Sequence, residues 1–277
     1  MIKMENPTGK LFLGTQGFSF KDWVGPFYPE GTPQRSYLEE YARVFPSVEI
    51  DSTFYGVPRV TTIQGWDRRT PAHFRFAAKF PKLITHEKKL EGAEGDAEAF
   101  IGSMQAMGEK LAVLTLQFAY DFTPEQFDRL DAFLDSLPGD QRYAVEVRNR
   151  AWLTSAFREM LIRHNVALVL QDLHYMPRLD WLTADFTVIR WLGRRKEIRV
   201  FDRIQIDRTQ VLEKWAASVT GFLENDIDVY GYFNNHFAGH SPASVRQFAA
   251  MLNQPLRSPD PDGEGRQMGL DLGDKLV

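Results

Sequence analysis

Cysteine is absent from the 277-residue chain. Its absence excludes disulfides, cysteine nucleophiles, zinc–thiolate centres and iron–sulfur clusters ligated by this chain, and says little about redox compartment. Long apolar runs are missing too: nothing approaches the roughly 18 residues that a membrane-spanning helix requires. The opening residues, MIKMENPTGK, lack the apolar stretch of a secretory signal, so a cytoplasmic location and no membrane partner are expected. Positive charge is not in excess, since 33 Lys and Arg face 37 Asp and Glu for a net charge of −4. Dedicated nucleic-acid binders are usually basic, which argues against nucleic acid as partner while leaving room for a local basic groove. No Walker loop, G-x-G-x-x-G or G-x-S-x-G motif occurs, and there are no internal repeats or low-complexity tracts.

What is present suits one large α/β unit. Hydrophobic residues make up 43% and aromatic residues 13%, with 21 Phe. A chain of this length buries about three quarters of its unfolded surface, so no staple is needed to hold a core. Short β-rich runs recur at 11–15, 48–52, 74–80, 112–118, 143–148, 166–172, 186–191 and 228–234. Helical periodicity separates most of them, at 33–45, 124–137, 154–165, 208–223 and 243–252, with Pro124 and Pro242 early in their helices. Eight such units predict a single-domain (β/α)8 barrel over residues 1–255. The segment LHYMPRLDWLTAD between the sixth and seventh runs is too short and Pro-interrupted for a full helix. Residues 256–277, polar and rich in Gly and Pro, are expected to form a loose tail.

In a barrel, strand residues alternate between the helix layer and the interior. Val48 and Ile50, Phe74, Phe76 and Ala78, Leu114 and Leu116, and Val145 and Val147 form apolar sets that face the helices. Their neighbours Glu49 and Asp51, Lys79, Gln117, and Glu146 and Arg148 must then point inward. The last three strands end on Asp172, Arg190, and Asn234 with Asn235, though their parity is ambiguous. A purely structural barrel fills its interior with Val, Ile and Leu, and an unpaired buried ion costs several kcal/mol. Either these charges form a closed salt-bridge network, or they line an active site at the C-terminal face, where barrel active sites sit.

Five segments, GTQGFSFKDWVGPFYPEG, VEIDSTFYGVP, FRFAAKFPKLITHEKKL, AVEVRNRAW and YFNNHFAGHSP, resemble the domain of unknown function 72 family, the YecE-like barrel proteins, over roughly residues 11–252. The resemblance implies a TIM-type barrel and supplies no activity. It adds Tyr55, His86 and Trp152 to the inward set as family-like positions, beside Gly14, Thr15, Gly17, Ser52, Thr53, Phe54, Thr85, Gly193 and Gly239. Leu192 stands where the family often has His, His236 where an acidic residue often follows the Asn pair, and Ser244 where a later Asn is common. Asp51 replaces a frequent Asn.

The aromatic loop Phe18, Phe20, Trp23, Phe27 and Tyr28 is expected to form its own small core rather than a ligand wall. His86 suits general acid/base work near neutral pH as well as a loop hydrogen bond, whereas His73 and His164 read as surface residues. The run Arg194-Arg195-Lys196 follows the seventh strand, near where many barrels bind phosphate. The sequence therefore predicts an enzyme of hydrolase or isomerase type using carboxylate acid/base chemistry on a small polar or anionic substrate. Glu146, Glu49, Asp172 and Lys79 are its expected catalytic groups. Arg148, Arg190, Gln117, Asn234, Asn235, Asp51, Tyr55, His86 and Trp152 are expected to bind substrate. No cofactor is required, although Glu49, Asp51, Glu146, Asp172 and His236 form a donor set suited to a divalent metal. One alternative is a metal-dependent phosphodiesterase or nuclease resembling the barrel-fold apurinic-site endonucleases. The other is a non-catalytic module for a small anion or a protein partner, which predicts a fully paired charge ring without an open pocket. Oligomeric state is not legible.

Overall fold

Eight parallel strands close into a barrel in strict chain order. They are β1 (Leu11–Gln16), β2 (Ser47–Ile50), β3 (Arg75–Lys79), β4 (Leu111–Gln117), β5 (Tyr143–Glu146), β6 (Ala167–Asp172), β7 (Phe186–Trp191) and β8 (Asp228–Phe233). The last strand pairs back onto the first, with Phe12 opposite Tyr230 and Gly14 opposite Tyr232. This computed structural model describes residues 9–194, 197–254 and 256. The expected (β/α)8 architecture is therefore present. The tail from 257 onward lies outside the described residues, while Leu256, assigned to that tail, packs against the core.

The outer layer comprises α1 (Tyr37–Val44), α2 (Val60–Arg68), α3 (Glu94–Met104), α4 (Phe127–Asp135), α5 (Ser155–Arg163), α6 (Thr209–Glu224), the short α7 (Asn235–Ala238) and α8 (Ser241–Met251). Helix starts follow capping chemistry. Thr123 and Gln126 form a capping box with Pro124 at the first position before α4, and Thr154 accepts from the Phe157 N–H at α5, each satisfying a donor that the helix cannot. Asn165, Asp226 and Asn253 adopt positive φ just beyond α5, α6 and α8, the left-handed geometry that lets a helix stop. The sequence periodicity misses α2 and α3. Only Ile63 and Trp66 of the short α2 are buried, and α3 mixes Gly95 and Gly102 with its buried Ala97, Phe100, Ile101 and Met104, so that its apolar periodicity is weak.

No helix separates β6 from β7. The polar-interrupted segment there is instead tied by side chains. Thr183 donates to the Val166 carbonyl at 2.7 Å and accepts from the Leu168 N–H at 2.8 Å. Arg178 lies over the Trp215 ring at 4.6 Å and donates to Lys214 O and Ser218 Oγ of α6.

Inside the barrel the lower layers are apolar: Ala77, Val113, Ala144, Val169, Val188 and Tyr230 belong to one buried cluster, with Phe12 packed against it. Phe12 stacks on Tyr230 at 4.9 Å. Gly14 is required where β1 approaches β2, since a Cβ there would lie 1.9 Å from the Ser47 carbonyl oxygen. The aromatic loop after β1 forms its own core as expected: Trp23, Phe27 and Tyr28 are buried, and Tyr28 stacks on Tyr37 at 4.5 Å. His164, read as a surface residue, is instead packed beside Asp131 with its Nε2 at 2.6 Å from the carboxylate.

Candidate functional site

The register of the sheet carries the inward alternation to the C-terminal rim. Gln16 is level with Glu49, Lys79 with Thr115, Gln117 with Glu146, and Gln171 with Arg190. Because Arg190 also pairs with Tyr232 of the interior, the parity left open in the sequence is settled: Gln171 points in and Asp172 points out. Above this layer opens a cavity of about 920 Å³. Lys79, Arg148 and Arg190 reach it, together with Gln16, Asp51, Gln117 and Asn234.

Two carboxylates lie beneath these cations. Glu49 and Glu146 are both 0% exposed, and neither lines the cavity. Arg190, itself 2% exposed, bridges them: its Nη2 lies 3.0 Å from Glu49 and its Nη1 donates to Glu146 and, at 3.0 Å, to Gln117 Oε1. Arg148 clasps Glu146 from the other side. Lys79 pairs with Asp51 and lies 3.6 Å from Glu49. Three cations thus face the cavity with three carboxylates behind or beside them, and the two most deeply buried acids are held from above.

This geometry decides the protonation states. Burial is the largest influence on Glu146 and pushes its pKa up, but Arg148 and Arg190 together outweigh it and hold the carboxyl below the usual range. For Glu49, burial wins over Arg190 and Lys79, and its pKa is raised. Arg190 loses hydration, yet Glu146 and Glu49 more than restore its preference for the charged form. Glu146 therefore cannot fill the proton-transfer role the sequence suggested: it has no path to a ligand and is committed to two guanidinium groups, while a general acid or base must reach the proton it moves.

Other expected residues divide cleanly. Asp51 and Tyr55 line the cavity, as does His86. His86 sits in a π-helical turn, Leu83–Glu87, a geometry that recurs at functional sites. Its Nδ1 lies 2.9 Å from Thr85 Oγ1, and burial lowers its pKa below the ordinary value. Asn234 donates to Gln16 Oε1 at 2.9 Å, a partner that the sequence does not reveal because Gln16 stands at the very end of β1, beyond the β-rich run.

Asp172, expected among the catalytic groups, faces the helix layer and accepts from Trp215 Nε1 at 2.9 Å. Trp152 is also withdrawn from the cavity: it is fully buried and donates to the Phe122 carbonyl at 2.8 Å while stacking on Phe122. Asn235 is structural, accepting from Trp23 Nε1 and from the backbone and hydroxyl of Ser241. Ser244 is buried in α8 and donates to the His240 carbonyl. Leu192 lines the cavity. His236 packs edge-on against Phe201 at 5.0 Å. The donor set proposed for a metal does not converge, because Glu49 and Glu146 serve cations and Asp172 serves an indole. Among the described residues no group of three or more His, Asp or Glu side chains is placed to hold a metal ion. Arg195 and Lys196 of the basic run lie outside the described residues. Arg194 reaches the cavity rim and pairs with Glu197 at 3.3 Å.

Aromatic rings the sequence did not single out complete the mouth. Tyr120 and Tyr175 join Tyr55 there, and Tyr55 and Tyr120 are 77% and 69% exposed. Exposed rings beside cations form a surface that attracts planar or ring-shaped molecules.

Comparison with known proteins agrees with this architecture. The family model described as "Protein of unknown function DUF72" matches residues 12–266. UPF0759 protein YecE of Escherichia coli K12 is 33% identical over 156 residues, which cover 56% of this chain and 55% of that relative, so the matched part spans just over half of its length. UPF0759 protein YunF of Bacillus subtilis 168 is 24% identical, covering 88% of this chain and 95% of the relative. A crystal structure of a DUF72 family protein from Thermotoga maritima MSB8 superposes with a TM-score of 0.77 at 28% identity, covering 88% of this chain and all of that one. A DUF72 family protein from Enterococcus faecalis V583, 23% identical with a TM-score of 0.73, covers 90% of this chain and 100% of its own, and shares the fold.

Proposed function

The chain belongs to the DUF72 family, and from that premise we propose that its barrel-top cavity binds a small anionic molecule and transforms it by proton transfer. The observation that carries this reading is the placement of charge. Lys79, Arg148 and Arg190 touch the cavity while Glu49 and Glu146, fully buried, pair with all three from below. A closed, self-neutralising network would leave no space above it, yet about 920 Å³ opens over these cations. Fixed guanidinium groups in a partly dry site bind phosphate or carboxylate well, because their orientation is set before the ligand arrives. That volume is in the range of pockets for whole small molecules rather than bare ions, so the anionic group is one part of the ligand.

Proton transfer falls to the titratable groups that reach the cavity. Asp51 stays accessible beside Lys79. His86, held neutral at pH 7 by its lowered pKa, has one ring nitrogen engaged by Thr85. A neutral imidazole at this position accepts a proton, as a hydrolase or isomerase requires. Calorimetric titration with inorganic phosphate tests the binding step. Arg148→Met is expected to weaken affinity about 10–100-fold, the size of a lost charge-assisted hydrogen bond; unchanged affinity would remove the cation floor from the site. Once a turned-over substrate is found by screening phosphorylated and carboxylated metabolites, His86→Asn and Asp51→Asn are each expected to lower turnover by about 10²–10⁴-fold. Full activity in both would reject the proton-transfer assignment.

A further inference from the structure

Arg148 opens a run of three consecutive residues that bond to the neighbouring loops. Its Nη1 donates to Tyr175 Oη at 3.4 Å, Asn149 Nδ2 donates to the Tyr120 carbonyl at 3.2 Å, and Arg150 Nε donates to the Tyr175 carbonyl. Tyr120 follows β4 and Tyr175 follows β6, so the turn after β5 ties down the loop on either side of it. That turn is itself fixed: Asn149 also accepts from the Ala151 N–H at 3.0 Å, and Trp152 stacks on Phe122 at 5.3 Å. Tyr120 is the middle residue of a segment whose ends, Phe118 and Phe122, stack on each other at 3.9 Å. Its backbone is thus held while its ring stays 69% exposed at the cavity. A ring presented to water on an anchored backbone contributes little to the fold, but it is ready to stack on a ligand with little ordering left to do.

Floor and wall of the cavity differ in chemistry. The floor carries the cations, and its amide and carboxylate acceptors are engaged: Gln117 Oε1 by Arg190, Gln16 Oε1 by Asn234 and Asp51 by Lys79. The wall formed by the loops after β4 and β6 is largely carbon, lined by Phe118, Ala119, Tyr120, Leu173 and Tyr175. Its polar side-chain atoms are the two phenol hydroxyls and the neighbouring His174 ring. A sugar ring lying here would find few partners for its hydroxyls, and each one desolvated without a partner counts against binding. A flat aromatic ring covers the same carbon surface without that cost and gains the offset or edge-on geometry that aromatic pairs favour. Arg148 joins wall to floor: one end of its guanidinium is held by Glu146 and the other touches Tyr175. An oxyanion held by Arg148 therefore stands next to the rings.

We propose that the ligand of this site is a small aromatic oxyanion, its phosphate or carboxylate on the cation floor and its ring on Tyr120. This assignment rests on the anion-site reading above. The experiment is a calorimetric comparison, on the full chain, of inorganic phosphate, methyl phosphate, cyclohexyl phosphate, phenyl phosphate and glucose 6-phosphate, with cyclohexanecarboxylate and benzoate as the carboxylate pair. Phenyl phosphate or benzoate is expected to bind about threefold or more tighter than its cyclohexyl counterpart of equal bulk, the increment of ring stacking. Phenyl phosphate should exceed methyl phosphate about tenfold, through burial of the apolar ring, and glucose 6-phosphate should not share that gain. Which of the two pairs shows the preference identifies the oxyanion. Tyr120→Ala should bring the aromatic preference close to one, and Tyr120→Phe, which keeps the ring, should retain it; an exposed position leaves both variants folded. If inorganic phosphate binds but neither aromatic compound outbinds its cyclohexyl counterpart, if glucose 6-phosphate binds as tightly as phenyl phosphate, or if the preference survives Tyr120→Ala, the aromatic subsite is wrong and the anion site stands. If no oxyanion of the panel binds, both fall.

Discussion

A carboxylate with no exposed surface stays ionised only where its neighbours replace the hydration it has lost. Glu146 meets that condition through Arg148 and Arg190, and Glu49 meets it less completely. Removing Glu146 leaves two guanidinium groups facing an empty space, one of them almost wholly buried. Glu146→Ala is therefore expected to destabilise the fold by about 3–5 kcal/mol, the cost of breaking a buried pair from one side, as read from urea midpoints. A loss below about 1 kcal/mol would show that water reaches the pair freely. His240 gives a pH-dependent counterpart. It is 4% exposed, its Nε2 has no hydrogen-bond partner among the described residues, and burial together with Arg246 lowers its pKa to about 4. The unfolded chain, with histidine near 6.5, binds the proton more readily than the folded one. Stability from this residue is thus complete above about pH 6.5 and is lost as pH falls towards about 4, amounting to about 3 kcal/mol. His240→Asn should flatten that part of the pH–stability curve relative to the unsubstituted chain. Parallel curves would place a charged histidine in the native state.

At the scale of elements, strand order and inward parity were legible in β2 to β5 because Val, Ile, Leu and Phe alternate there with charged or polar residues. That alternation placed Glu49, Lys79, Gln117 and Arg148 on the correct face. It failed at β6, where Ala167–Asp172 is apolar until its last two residues and either parity fits. The polar end of the strand therefore reads inward at Asp172, whereas the side chain that points in is Gln171. The role of Glu146 failed for a different reason: parity tells which way a side chain points but not how deep it lies, and two long cationic side chains cover it. Trp152 came from family likeness alone, which does not distinguish a core residue from a ligand contact. The helix-free connection from β6 to β7 was legible from its Pro-interrupted composition, but what anchors it was not. Thr183 supplies a donor to the Val166 carbonyl and an acceptor to the Leu168 N–H, tying the connection to the start of β6. Thr183→Val keeps the shape and removes both bonds, and is expected to cost about 1–3 kcal/mol. It should also speed amide exchange at Leu168 more than at distant strands; uniform acceleration would mean that the segment does not act as a local anchor.

For the whole molecule, the cation floor links ligand binding to global stability. A ligand that binds only the folded chain stabilises it by mass action, by about 2.7 kcal/mol at one hundred times its dissociation constant. For a chain of this size that corresponds to a rise in melting temperature of roughly 5–10 °C. Phosphate and sulfate also stabilise proteins in general, by exclusion from their surfaces, so a shift in the unsubstituted chain alone does not identify a site. The difference between that chain and Arg148→Met does. Exclusion depends on total surface, which one substitution barely changes, whereas the specific contribution requires the guanidinium group that Glu146 holds at the cavity. At equal ionic strength, phosphate is expected to raise the melting temperature of the unsubstituted chain by several degrees more than that of Arg148→Met, with the excess saturating as phosphate rises. Chloride at the same ionic strength should separate the two far less, because a spherical monovalent ion cannot bridge Lys79, Arg148 and Arg190 as a tetrahedral oxyanion does. Equal shifts in both proteins, or an excess that grows linearly without saturation, would mean that phosphate acts through the solvent and that the barrel-top cations serve the fold alone.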